Sequence, residues 1–175
     1  MPKKQPIQSV KGMRDILPDE QAYFNRVYDI VKKFADAYRF SKIDVPILED
    51  EELFIRGTGK STDIVTKEMY TLRTKGGDRL ALRPEFTPGI VRAYLEHGMN
   101  NLPQPVKLYT TGSLFRHERP QKGRYREHHQ VNFDIFGSQE TALDVEVIYL
   151  FWLILENLGL KDISIHVNSI GCKEC

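Results

Sequence analysis

Phe115-Arg116-His117-Glu118-Arg119-Pro120-Gln121-Lys122-Gly123-Arg124-Tyr125-Arg126-Glu127-His128-His129-Gln130 joins two stretches of strand character, residues 106–116 and 128–137. A charged turn of this kind links antiparallel strands, whereas parallel neighbours need a long, usually helical crossover. The segment therefore predicts an α+β fold in which residues 106–137 form an antiparallel floor with helices packed on one face. A parallel, doubly wound sheet is excluded.

Upstream of the pair, Thr87-Pro88 opens a helix with a cap and a first-turn proline, and His97-Gly98 closes it. Two short strands, Met69–Leu72 and Arg79–Leu82, flank Gly76-Gly77, a hairpin signal. Gly57-Thr58-Gly59-Lys60-Ser61-Thr62 looks like a phosphate loop, but one residue separates Gly57 from Gly59, so GxxxxGK[ST] is not met and a mobile surface loop is expected. Ile43–Leu48 alternates as a strand, and Pro46 confines it to an edge, a bulge or an end. Before it, apolar Phe24, Val27, Val31, Phe34 and Tyr38 recur at helical steps behind Asp19, a candidate N-cap. Residues 1–18 read as an extended arm with Gly12 at a bend. Downstream, a helix over 141–158 carries Leu143, Val147, Leu150 and Ile154 and ends at Gly159, followed by a strand near Ile163–Val167.

The 175 residues fit one domain with a real core, being 41% hydrophobic and 28% charged. Lys and Arg exceed Asp and Glu by a single charge, so any contact with nucleic acid must come from a local patch. No run of 18 apolar residues is present, no membrane association is expected, and the cytoplasm is the default location. Cys172 and Cys175 form one CxxC, which without a second pair favours two reduced thiols over a metal site.

The chemistry concentrates in the charged turn, where Arg116, Arg119, Lys122, Arg124 and Arg126 fall within eleven residues. Guanidinium groups chelate oxyanions and lysine adds a point charge, so the cluster suits a polyphosphate; the alternative is a solvated hairpin tip kept soluble by its charges. Glu85 is either a ligand carboxylate or a helix-start carboxylate favoured by the dipole. Gln130 and Asp134 lie four apart and share a face of the return strand, as substrate contacts or as solvent-facing polar residues.

The order of these pieces resembles the class II aminoacyl-tRNA synthetases. Phe-Arg-x-Glu at a strand end, a basic glycine-containing loop, and a strand reaching Asp134 and Gly137 match their motif 2. Arg119-Pro120-Gln121-Lys122-Gly123-Arg124-Tyr125-Arg126 narrows the resemblance to the histidyl-tRNA synthetase family. So do Lys11-Gly12-Met13-Arg14-Asp15, Asp63–Tyr70, Leu82-Arg83-Pro84-Glu85 with Thr87, Glu96-His97-Gly98 and Asn168-Ser169-Ile170-Gly171. Practically the whole chain is covered.

The resemblance implies roles. Arg116 would bind the α-phosphate of ATP and the carboxylate of histidine, stabilising charge on the transition state. Glu118 would hold ATP on its adenine side, Arg124 would bind the terminal phosphates, and His128 stands where an aromatic residue would stack on adenine. Glu85 and Thr87 would take the α-ammonium of histidine, Gln130 its carboxylate, and Asp134 its imidazole N–H, where many relatives carry glutamate. Arg119 and Gln121 would lie towards the acceptor end of tRNA(His).

Magnesium would accompany ATP, with no dedicated metal site expected on the protein. The first helix and the Pro46 strand resemble motif 1, which implies a homodimer. The family's third motif, histidine-specific segment and anticodon-binding domain are expected beyond Cys175. The expectation is thus a truncated catalytic core over 1–175, inactive or nearly so alone. Two other classes stay open: a non-catalytic paralogue regulating histidine biosynthesis, which tends to lose the substrate-charge residues kept here, and a bare RNA-binding module, disfavoured by the near-neutral charge.

Overall fold

A computed structural model describes residues 6–59 and 62–168. Lys60, Ser61, the Ser169-Ile170-Gly171 part of the terminal motif, Cys172 and Cys175 lie outside the described residues.

Strands β5 (Val106–Phe115) and β6 (Glu127–Phe136) pair antiparallel in unbroken register from Val106 opposite Phe136 to Phe115 opposite Glu127. Side chains alternate across a strand, so opposite partners share a face. One face carries Tyr109, Val131, Phe133 and Ile135. Helices α1 (Gln21–Ala37) and α4 (Thr141–Asn157) cover it through Val31, Ala35, Leu150 and Ile154. Phe133 meets Phe40 and Phe151 edge-to-face at 5.0 and 5.4 Å, pairs worth about 0.5–1.5 kcal/mol each beyond their burial.

The other face carries Leu108, Leu114 and Phe136 at positions covered by α3 (Thr87–Glu96), whose Ile90 and Ala93 are buried there and whose Tyr94 stacks on Phe136 at 4.6 Å. Helices therefore pack on both faces, not on one. The reason lies in the alternation: Leu108 and Leu114 make the second face apolar enough to need cover.

Two three-stranded sheets result. In the first, β1 (Ser41–Lys42) runs parallel to β5, giving the order β1-β5-β6; in the second, β2 (Leu48–Asp50), β4 (Arg79–Leu82) and β3 (Thr71–Arg73) pair antiparallel in the order β2-β4-β3. The architecture is α+β. Among the described residues the parallel pairing is two residues long, which does not make a doubly wound sheet.

Several local expectations are corrected. The expected strand over Ile43–Leu48 does not form: residues 43–47 lie between the short strands β1 and β2, because Pro46 has no N–H and the Val45 and Ile47 carbonyls bond Arg83 while the chain passes between sheets. Gly57 and Thr58 belong not to a loop but to α2 (Glu51–Thr58), capped by the Asp50 carboxylate on the Glu52 N–H at 2.8 Å. A Cβ on Gly57 would sit 2.9 Å from the Pro88 ring, so glycine is what lets α2 approach α3. A π-helical turn, Ile64–Glu68, follows.

Asp19 does not cap α1, which starts after Glu20 with no side-chain cap. Thr87 is the first residue of α3 and not its cap, its hydroxyl being spent elsewhere. Residues 163–167 form no strand, because no described segment pairs with them. The β3 strand lies two residues later than Met69 at its start, while the Gly76-Gly77 turn forms as expected, with Gly77 at φ 97°.

Candidate functional site

The site grows from the α3 side of β6, where His128, Gln130, Asn132 and Asp134 alternate out of the hairpin opposite Leu114, Gly112, Thr110 and Leu108. Their partners Leu108, Thr110 and Leu114 on β5 are buried, while this row of polar side chains on β6 is half-buried.

Arg116 follows β5 directly, its main chain still paired through its N–H to the Arg126 carbonyl at 2.8 Å. Its Nε donates to the Pro84 carbonyl at 2.9 Å. That bond brings the guanidinium against the segment between β4 and α3, where Glu85 stands half-buried with Oε1 accepting from the Thr58 hydroxyl. The α2 helix, unseen in the sequence, thus supplies the partner of Glu85.

A second cluster lies farther along β6. Thr87 Oγ1 donates to Asp134 Oδ1 at 3.3 Å, and Asn132 Nδ2 donates to Asp134 Oδ2 at 2.5 Å. Burial pushes the Asp134 carboxyl above the ordinary carboxylate range, and the two hydrogen bonds offset part of that. Asn132 was not among the expected residues, although its position between Gln130 and Asp134 puts it on their face. Gln130 stands over Gly112.

The hairpin tip is a third group. Gln121 and Arg124 exchange main-chain hydrogen bonds around Lys122-Gly123, with Gly123 at φ 81°, the left-handed conformation a tight turn takes from glycine. Arg124 Nη1 pairs with Glu118 Oε2 at 3.0 Å. Arg119 and Gln121 are exposed at the tip, apart from the other two clusters. His128 links tip and floor: burial holds its imidazole below the ordinary value, the Arg116 charge adds to this, and Glu118 opposes it.

Arg126, counted in the sequence only as one cation among five, ties the tip to the arm. Its N–H donates to the Gly12 carbonyl at 2.7 Å, its Nε to the Glu118 carbonyl at 3.1 Å, and its Nη1 to the Lys11 carbonyl at 3.4 Å. Gly12, at φ 86°, leaves room for that side chain, since a Cβ there would lie 2.8 Å from Arg126 Cγ and Cδ. Among the described residues no group of three or more His, Cys, Asp or Glu is placed to hold a metal ion. Among the described residues no helix is long and apolar enough to cross a membrane.

The arrangement offers a guanidinium tied to Pro84, next to Glu85 in the chain, at one end of the floor and a half-buried carboxylate, Asp134, at the other. It can hold a zwitterion with a polar side group and present an arginine to an oxyanion.

Comparison with known proteins gives the family. The profile of the family described as "Histidyl-tRNA synthetase" matches residues 12–172. A histidine–tRNA ligase of Dehalococcoides mccartyi is 50% identical over 168 residues, and one of Desulfosudis oleivorans is 45% identical over 169. These matches cover 96% and 97% of this chain, and the chain spans 40% of each relative's length. The apo histidyl-tRNA synthetase of S. aureus superposes with a TM-score of 0.76 at 32% identity, over 89% of this chain and 36% of that one. A Bacillus halodurans structure described as an ATP phosphoribosyltransferase regulatory subunit/histidyl-tRNA synthetase shares the fold, at TM-score 0.76 and 23% identity over 93% of this chain and 40% of that one. The fold is that of the class II synthetases, and the chain belongs to the histidyl-tRNA synthetase family.

Proposed function

We propose that this chain supplies the histidine- and ATP-contacting part of a histidine–tRNA ligase, which forms histidyl-adenylate and passes histidine to tRNA(His). The observation that carries the proposal is the bond from Arg116 to Pro84, which ties a guanidinium across two sheets to the residue preceding Glu85. Histidine is a zwitterion, and this pairing presents opposite charges to its ammonium and carboxylate at once.

One of the five Arg116 donors goes to Pro84, leaving the rest for the α-phosphate and the carboxylate, where charge develops as the acyl–phosphate bond forms. Glu85 and Thr87 take the ammonium, Gln130 the carboxylate, and Asp134 accepts from the imidazole N–H. Glu118 and His128 face adenine, and the imidazole, whose pKa burial pushes down, stacks on it. Arg124 pairs with Glu118 while two-thirds exposed, an interaction worth about 0–1 kcal/mol, so its turn towards the terminal phosphates costs little. Magnesium would be held chiefly by the phosphates it accompanies, a mode that needs one or two carboxylates such as Glu118 and no full protein cage. Arg119 and Gln121, exposed at the tip, reach towards the tRNA acceptor end.

The same reading makes α1 with the Pro46 segment a homodimer surface. An apolar concavity of about 330 Å³ lies along α1, between Tyr23, Phe24, Val27 and Tyr28 and the β6 residues His129, Gln130 and Val131. It makes 1–175 a partial core within one domain, working in the cytoplasm as part of the longer enzyme.

The test is kinetic. In a chimera carrying this chain in place of the matching 168 residues of the D. mccartyi ligase, Glu85→Gln raises KM for histidine and leaves KM for ATP in place. Equal effects on both substrates would remove Glu85 from the histidine site. A regulatory paralogue would show no histidine-dependent pyrophosphate exchange at all.

A further inference from the structure

Arg83 joins the two sheets on which Glu85 and Arg116 stand. Arg83 follows β4, its N–H donates to the Ile47 carbonyl at 2.9 Å beside β2, and its carbonyl accepts from the Phe115 N–H at 3.0 Å at the end of β5. Its side chain repeats the connection: Nη1 donates to the Val45 carbonyl at 2.6 Å, and Nε to the Ser113 carbonyl at 3.0 Å. The guanidinium lies 4.7 Å from the centre of the Phe86 ring, and Arg83 as a whole is 7% exposed. Its acceptors are main-chain carbonyls and not a carboxylate, with Asp44 offsetting part of its desolvation.

A buried charge without a carboxylate partner costs stability. A hydrophobic residue would fill the same space at lower cost, so what the arginine adds here is geometry: a rigid fork reaching both sheets at once. Nη2 points at Gly112, where a Cβ would stand 3.0 Å away, so the floor of the site is bare of side chain just where the fork enters.

We propose that Arg83 is a positioning residue of the site described above, a clamp that fixes the Pro84–Glu85 segment against Arg116. The role rests on the proposed assignment of that site, and Arg83 touches no substrate. It sets the separation between the group that holds the ammonium and the group that holds the oxyanion.

The test uses the 175-residue chain without ligand and reads hydrogen exchange by NMR. In Arg83→Lys, which keeps the charge but has a single head for two carbonyls, exchange at the Phe115 amide and at Arg116 Nε–H speeds up by about tenfold or more. Amides in the middle of α1 and α4 hold their wild-type rates. Arg83→Gln, which removes the buried charge and keeps one donor group, gives the same pattern if the lysine variant folds poorly. Unchanged exchange at both reporters overturns the clamp. So does a uniform rise across the helices, which would make Arg83 a residue of general stability only. Because no substrate is present, these outcomes are separate from those of the kinetic test: a change at Arg116 with no histidine dependence in the chimera would keep the clamp and remove the assigned substrates.

Discussion

Arg116 and Pro84, thirty-two residues apart, are joined by one hydrogen bond of 2.9 Å from a guanidinium Nε to a main-chain carbonyl. The acceptor is uncharged, so the arginine is aimed without being neutralised. Arg116→Ala therefore leaves the fold intact and strikes the chemical step. In the D. mccartyi chimera it lowers kcat for histidine-dependent pyrophosphate exchange by about 10²–10³, or about 2.7–4 kcal/mol, the range for a lost oxyanion donor. Wild-type exchange in this variant would remove Arg116 from the reaction.

Asp134 is held above the ordinary carboxylate range by burial. A folded pKa above the unfolded one gives stability that is complete below the unfolded value and is lost as pH rises through the folded value. Asp134→Asn abolishes that loss. Thermal melts of the 175-residue chain at neutral pH then place the Asn variant above wild type, with the gap closing towards about pH 3, where both states carry the protonated acid. The same change weakens histidine binding in the chimera, because an amide no longer offers a charged acceptor to the imidazole N–H.

Gly12 and Arg126 make a third case. Gly12→Ala forces an L-residue to φ 86° and puts a methyl 2.8 Å from the Arg126 side chain. The left-handed penalty alone is about 1–2 kcal/mol, so urea unfolding of Gly12→Ala shows a loss of at least that size. If its midpoint matches wild type, the arm is not held by this contact.

His128, with its pKa depressed mainly by burial, works in the opposite sense to Asp134. Its stability is present above the unfolded value of about 6.5 and is lost as pH falls through the folded value. His128→Phe keeps the ring and removes the titration. Between about pH 7 and pH 5 the wild type loses more stability than the variant, as measured by denaturant midpoints; parallel losses would show that His128 is not desolvated.

What could be read from the sequence follows from how local each signal is. The β5–β6 pair, its turn, α1, α3 and α4 are written in alternation, helical spacing and punctuation by Gly and Pro. The shared face of Gln130 and Asp134 follows from a period of two. The α2 helix was hidden because Gly57 looks like a loop residue, and its reason for being in a helix is Pro88, thirty-one positions away. Thr58 as the partner of Glu85, Asn132 beside Asp134, and the carbonyls taken by Arg83 and Arg126 are tertiary facts that no window of residues contains. Asp19 fails as a cap because Arg14 holds Glu20 at 2.6 Å and α1 begins beyond it.

Histidine-dependent pyrophosphate exchange, measured side by side on the 175-residue chain and on the D. mccartyi chimera that carries it, tests the central claim most directly. The account predicts exchange in the chimera, lost with Arg116→Ala, and none measurable in the chain alone, because the chain spans 40% of that ligase's length and a misplacement of about 1 Å can cost about a hundredfold in rate. A chimera that binds tRNA and ATP yet shows no exchange, or one whose exchange ignores Arg116 and Glu85, would contradict it.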